Sequence, residues 1–210
     1  LVALIEKYKV VLIEDDVYGD LYFGDKRPKP AQLYSEKGLV LTCSSFSKTT
    51  APGYRLGWLI PGKFVAQAKR IKRAISCTTP MLQQWTISEY IMVGDYERYL
   101  TVLRKKLRYN CERMRALIAE HFPDDVCISK PQGGAVLWVR CRSYVDTQQL
   151  LEPALAKGVS FAPGRIFSPT GRYKNYMRLS YGIQWSEQVE QAIATLGQLV
   201  SEFPKNSRQD

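Results

Sequence analysis

The period of the apolar positions changes along the chain, and each change marks an element. Leu1, Leu4, Ile5 and Tyr8 in "LVALIEKY" recur at helical spacing, yet no Ser, Thr, Asp or Asn precedes them as a cap. The sequence is expected to open inside a helix. Val10–Ile13 ("VVLI") is a short β-branched run of the kind buried on both faces of a parallel sheet, and it stops at "EDDVYGD". A second run, Leu39–Thr42 ("LVLT"), stops at "CSSFSK", and a third, Arg55–Ile60 ("RLGWLI"), stops at Pro61-Gly62. Helical patterns then predict helices over about 64–76, 82–93 and 96–121, the last closed by "FPDD". Beyond it the pattern alternates. A strand is expected at 135–139, a helix at 147–156, strands near "VSFAP" and "YMRLSY", and a final helix at 186–203.

Helix, strand, crossover, strand is α/β order. The expected division is a portion of a large α/β domain (1–94), a long connecting helix (95–122) and a small α+β domain (123–210). In open α/β sheets ligands gather beyond the carboxyl ends of the strands. Both "EDDVYGD" and "SSFSK" fall at such ends.

Composition removes several function classes. The 210 residues are 45% hydrophobic, which suits a folded globular protein. No apolar run approaches the roughly 20 residues of a membrane span, and no stretch has the pattern of a secretory signal. The five cysteines are scattered, odd in number and free of any C-x-x-C pair, which reads as a reducing, cytoplasmic compartment with no disulfide framework and no zinc site. A Ser-His-Asp triad would depend on the single histidine, His121, whose context "IAEHFPDD" reads as a solvated helix end. The net charge of +10 gathers in "KRIKRA" (69–74) and "RKKLR" (104–108). Such runs permit nucleic-acid contact, and their plainer reading is a solvated helix face.

The stretch "SSFSKTTAPGYR" (44–55) places a lysine among serines, upstream of an arginine. A lysine acts as a nucleophile when it is uncharged and held beside an electrophile, and pyridoxal phosphate (PLP) supplies one in its aldehyde. That cofactor needs an acid at its pyridine nitrogen and hydroxyls, amides and a cation at its phosphate. Asp15 follows a strand, Tyr18 lies three residues on, Ser45 and Ser47 flank Lys48, Arg55 follows the loop, and Arg178 sits in "YMRLSYG". Arg178 offers a planar fork to a substrate carboxylate. Each has a plainer reading alone: a turn residue for Asp15, packing for Tyr18, neutralisation of a strand end for Arg55, a structural ion pair for Arg178.

Their order and spacing resemble fold-type I, aspartate aminotransferase-like PLP proteins. The matching stretches are "EDDVYGD", "SSFSK", "PGYRLGW", "PQGGAVLW", "APGRIFS" and "NYMRLSYG", which together cover essentially all of the chain. "EDDVYGDLYFGDKRPKP", "SSFSKTTAPGYRLGWLIPGKF" and "GGAVLWVRC" are most similar to MocR-type regulators of the GntR superfamily, which join an N-terminal winged helix-turn-helix to an aminotransferase-like domain. The resemblance implies PLP as cofactor, bound by Asp15, Tyr18, Ser45, Ser47, Lys48 and Arg55, with Lys48 as the catalytic lysine, Arg178 on the substrate and no metal. It implies an amino-acid or PLP-related effector, DNA contact through an upstream domain, and a homodimer. A free-standing aminotransferase of the aminoadipate/kynurenine type uses the same residues and stays open as the alternative. The family's phosphate loop, ring-stacking aromatic and ring-oxygen Asn lie upstream of the D-x-x-Y segment, and fourteen residues precede Asp15 here. The chain is therefore expected to be the C-terminal portion of such a domain and to bind PLP weakly by itself.

Overall fold

A computed structural model describes residues 1–205. The chain divides into two compact units, the first Leu1–Arg104 and the second from Lys105 onward.

The first unit contains α1 (Val2–Lys7), β1 (Leu12–Asp15), β2 (Val40–Ser45), β3 (Gly57–Ile60), α2 (Val65–Ser76), α3 (Met81–Met92) and the start of α4 (Asp95–His121). Its sheet has the order β1-β2-β3. β1 and β2 are parallel, with Leu12 opposite Val40 and Asp15 opposite Cys43. β3 runs antiparallel to β2, with Ser45 opposite Gly57. The parallel pair is joined by a long connection. β3 instead returns through a loop with no crossover helix, and such a connection reverses strand direction.

Two features depart from the sequence reading. The run Val10–Ile13 enters the sheet two residues late, at Leu12. Lys9 takes a left-handed conformation (φ 55°), and the Val10 N–H bonds back to the Ile5 carbonyl at 2.9 Å. That 6→1 bond is a Schellman closure of α1, and it keeps Val10 out of the ladder. The apolar runs are also not covered on both faces by the residues described here. β2 buries Val40 and Thr42, but Ile13 on the edge strand is 69% exposed, and β3 buries no residue. α2 buries none either. Lys69, Arg70, Lys72 and Arg73 therefore lie on an exposed helix, in line with the plainer reading of that charge run.

The second unit holds the rest of α4, β4 (Cys127–Ile128), β5 (Val136–Arg140), α5 (Thr147–Ala156), β6 (Ala162–Pro163), β7 (Tyr176–Ser180) and α6 (Glu187–Glu202). Its sheet is antiparallel throughout, in the order β4-β5-β7-β6. Period-two alternation buries Leu137, Val139, Met177 and Leu179 on one face. α5 and α6 pack together, and they bury Leu150, Ala154, Ile193, Leu196 and Val200. The other face of the sheet presents Trp138, Arg140, Arg178 and Ser180 at partly or fully exposed positions. α5 begins where the sequence reading placed it because Asp146 caps it, accepting the Gln148 N–H at 3.0 Å.

No helix among the described residues is long and apolar enough to cross a membrane. The described residues hold no cluster of three or more potential metal ligands.

Candidate functional site

Because β1 and β2 are parallel, both deliver their carboxyl ends to one edge of the sheet. Asp15 is the last residue of β1, and its Oδ1 accepts the Val17 N–H at 3.1 Å. This Asx turn leaves the carboxylate exposed at the strand end. The chain beyond it is tied to the neighbouring strand. The Asp16 N–H donates to the Cys43 carbonyl at 2.8 Å, and the Ser44 hydroxyl donates to the Asp16 carbonyl at 3.1 Å. Tyr18 is more than a third exposed.

At the end of β2 the serines behave as a unit. Ser45 Oγ lies 2.9 Å from Ser47 Oγ and accepts the Ser47 N–H at 3.1 Å. Arg55 Nη1 donates to Ser47 Oγ at 3.3 Å. Arg55 follows a 3-10 turn, Pro52–Tyr54, and holds a left-handed backbone (φ 51°). That conformation is uncommon for a residue with a Cβ. It turns the chain from the loop into β3 and brings the guanidinium beside Ser47. Lys48 is exposed, and among the described residues its amino group has no hydrogen-bond or ion-pair partner. Thr49, next in sequence, is buried. The turn thus anchors one neighbour of Lys48 and leaves the lysine free.

In the second unit Arg178 stands on the exposed face of β7, opposite Trp138. Its guanidinium lies over the Phe167 ring at 4.9 Å. Phe167 meets Trp138 edge to face, with centroids 5.4 Å apart. Arg178 has no carboxylate partner among the described residues, so the structural ion pair suggested by its position is absent there. His121 is partly exposed at the end of α4, in line with its reading as a solvated helix-end residue.

Sequence reasoning missed a second cluster in the first unit. Arg27 binds the Asp16 carboxylate and, at 2.6 Å, the Asp20 carboxylate. Burial works against the Arg27 charge, but the two aspartates outweigh it and raise its pKa. The Tyr96 hydroxyl, at the start of α4, lies 3.0 Å from Asp20 Oδ2 and 3.2 Å from Thr49 Oγ1. Arg104 Nε donates to the Asp20 carbonyl at 2.8 Å, and its guanidinium lies over the Tyr22 ring at 4.2 Å. Asp16 and Asp20 stand in the quoted motif "EDDVYGD", and their four-residue spacing was the one local signal for this cluster. Nothing local marks Tyr96.

Residues 1–196 match the family model described as aminotransferase class I and II. The chain belongs to that family. It is 36% identical, over 202 residues, to the uncharacterized HTH-type transcriptional regulator YdcR of Escherichia coli; the match covers 96% of this chain and 43% of YdcR. It is 30% identical to the 2-aminoadipate transaminase of Thermus thermophilus, a match covering 94% of this chain and 50% of the transaminase. Among solved structures, Pyrococcus horikoshii kynurenine aminotransferase in complex with PMP superposes with a TM-score of 0.88 at 28% identity, covering 96% of this chain and 50% of that one. The chain thus spans about half the length of the family members it matches. The α/β fold of the chain is that of part of an aminotransferase of this family.

Proposed function

We propose that this chain is the cofactor-binding, effector-sensing portion of a MocR-type transcriptional regulator of the GntR superfamily, with PLP as its cofactor. The cluster of Ser45, Ser47 and Arg55 beside the unpartnered Lys48 carries the cofactor reading. Its chemistry fits the cofactor: two hydroxyls and a guanidinium suit a phosphate dianion. When bound, PLP supplies an aldehyde and an electron-withdrawing ring. Lys48, whose amino group has no partner among the described residues, would hold the aldehyde end of the cofactor. The Asp15 carboxylate would hold a proton at the ring nitrogen, the Tyr18 phenol would donate to the ring oxygen, and Ser45, Ser47 and Arg55 would bind the phosphate. Arg178 takes the carboxylate of an amino-acid or PLP-related effector. DNA contact belongs to an upstream winged helix-turn-helix, and the protein works as a homodimer in the cytoplasm.

The 36% identity to YdcR supports the regulator reading. The match to the Thermus transaminase favours the second reading, a free-standing aminotransferase of the aminoadipate/kynurenine type. The test of the cofactor reading is reduction of the PLP-loaded protein with borohydride, followed by peptide mapping. The label is expected at Lys48, and Lys48→Ala should carry none. Equal labelling of that variant overturns the reading. Effector-dependent DNA binding without amino-group turnover then selects the regulator, and turnover of 2-aminoadipate or kynurenine without DNA binding selects the enzyme.

A further inference from the structure

Tyr96 reaches both the loop after β1 and the turn that carries Lys48. Its hydroxyl lies between Asp20 Oδ2 and Thr49 Oγ1, at 3.0 and 3.2 Å. Its ring packs edge to face on Phe46, with centroids 5.9 Å apart, and on Tyr90 at 6.2 Å. Phe46 and Thr49 bracket Ser47 and Lys48, so the ring and the hydroxyl hold both ends of the lysine turn. Inside that turn the Phe46 carbonyl accepts the Thr50 and Ala51 N–H groups, and the Thr49 hydroxyl lies 3.4 Å from the same carbonyl.

On the other side, Asp20 is fixed three ways: by Arg27 Nε on Oδ1, by Tyr96 on Oδ2, and by Arg104 Nε on its backbone carbonyl. Arg27 also grips Asp16, the residue that follows Asp15. A chain of contacts therefore runs from Asp15's neighbour through Arg27, Asp20 and Tyr96 to Lys48's neighbour.

We propose that Tyr96 is a positioning residue for Lys48, locking the lysine turn in register with the strand end that carries Asp15 and Tyr18. The proposal rests on the reading of Lys48 as the PLP-attaching lysine. A phenol has one proton, and a carboxylate can only accept. The shorter contact gives that proton to Asp20, and Thr49 Oγ1 closes the other side of the phenol oxygen at 3.2 Å. Burial and the nearby Asp20 charge push the Tyr96 pKa up to about 12, against the opposing bond from Thr49, so the phenol keeps that proton at neutral pH. A lysine nucleophile loses rate when its approach to the electrophile is misaligned, even with its own chemistry unchanged.

The experiment compares wild type, Tyr96→Phe, Thr49→Val and the double variant in the full-length polypeptide that carries this chain. It measures PLP affinity and the rate of reductive trapping at Lys48, with thermal unfolding alongside. Tyr96→Phe keeps both ring contacts and removes both hydroxyl contacts. It should lower PLP affinity or trapping rate about tenfold, the size expected for losing a hydrogen bond to a charged group. Thr49→Val should reproduce that loss, and the double variant should add little to either single, because all three break one path. A fold-only role predicts otherwise: equal trapping at equal melting temperature, or losses that multiply in the double variant. Either result overturns the proposal. Should Tyr96→Phe fail to fold, Thr49→Val decides the question alone, and wild-type trapping in that variant counts against it. If the wild type itself takes no label at Lys48, the underlying cofactor reading fails instead.

Discussion

The Arg55 guanidinium donates to the Ser47 hydroxyl at 3.3 Å, across the loop that separates β2 from β3. The contact joins a cation to a hydroxyl already tied to Ser45, so the guanidinium and two hydroxyls of the proposed phosphate site stand together at the end of β2. Such preorganisation lowers the ordering cost of binding, because the side chains have already lost their freedom.

The first prediction follows from that assembly. Arg55→Lys keeps the charge and loses the planar fork, so it should weaken PLP binding about tenfold. Ser47→Ala removes the hydroxyl that meets Arg55 and should cost roughly three- to tenfold, as for one hydrogen bond. The two losses should be less than additive, since the residues share a contact. Isothermal titration with PLP measures all three, and strict additivity would argue against a joint phosphate cradle.

Glu190 gives a pH prediction for the second unit. Its carboxylate accepts from Arg113 Nε at 2.9 Å, from Arg113 Nη2 at 2.6 Å and from Trp185 Nε1 at 2.8 Å. These bonds, Arg113 first, hold its pKa down to about 2, from an ordinary 4.5. The folded value is the lower one, so the stabilising contribution is present above about pH 4.5 and fades as pH falls towards 2. Both partners are partly exposed, so the contribution at neutral pH is modest. Glu190→Gln should melt below wild type at pH 7, and the gap should close as the pH is lowered to about 2.5. A gap that stays constant with pH would show that Glu190 acts through packing alone.

Much of this architecture was legible because its signals are local. Asp146 caps α5 at the boundary read from the sequence, and the strands of the second unit alternate buried and exposed residues as a half-covered sheet must. Ser45, Ser47 and Arg55 lie within eleven residues, so their grouping was readable too. What escaped was non-local or conformational. Lys9 adopts a left-handed backbone more usual for glycine, and this shifted the start of β1. The direction of β3 depended on the loop that precedes it, which a periodicity reading does not weigh. Tyr96 meets Thr49 and Asp20 across 47 and 76 residues of sequence, and no spacing rule connects them.

Gly197 tests the packing of the second unit. A Cβ at that position in α6 would stand 2.4 Å from the His121 carbonyl oxygen and 3.0 Å from the Phe122 ring. Alanine ordinarily stabilises a helix interior over glycine by about 1 kcal/mol. Here the nearest atom is backbone at the end of α4, and Phe122 is buried, so relief requires the two helices to separate. Overpacking of this kind costs roughly 1–3 kcal/mol. Gly197→Ala should therefore lower stability in urea unfolding, while Gln191→Ala on the exposed face of α6 should not. A stabilised Gly197→Ala variant would show that the close approach is relieved cheaply.

The last prediction concerns Arg178, whose surroundings differ from those of its neighbours. Arg113, Arg142 and Arg165 each hold a carboxylate, from Glu190, Asp125 and Asp146. Arg178 has none among the described residues; one face of its guanidinium is covered by Phe167, and Phe167 is braced by Trp138. A guanidinium that stacks through its face keeps its N–H edge available for a bidentate grip on a planar anion. A lysine there would retain the charge but neither the stacking plane nor the second donor. Arg178→Lys should therefore lower amino-acid affinity at least tenfold. PLP affinity should stay near wild type, because the proposed phosphate donors are Ser45, Ser47 and Arg55. Lys174→Met is the control for simple charge: it removes a cation near β7 whose nearest carboxylate is Asp146 at 3.8 Å. Equilibrium titration of the PLP-loaded protein with amino acids reads both variants. Equal weakening by the two substitutions would reduce Arg178 to a contributor of field, and unchanged affinity in Arg178→Lys would remove it from the effector site.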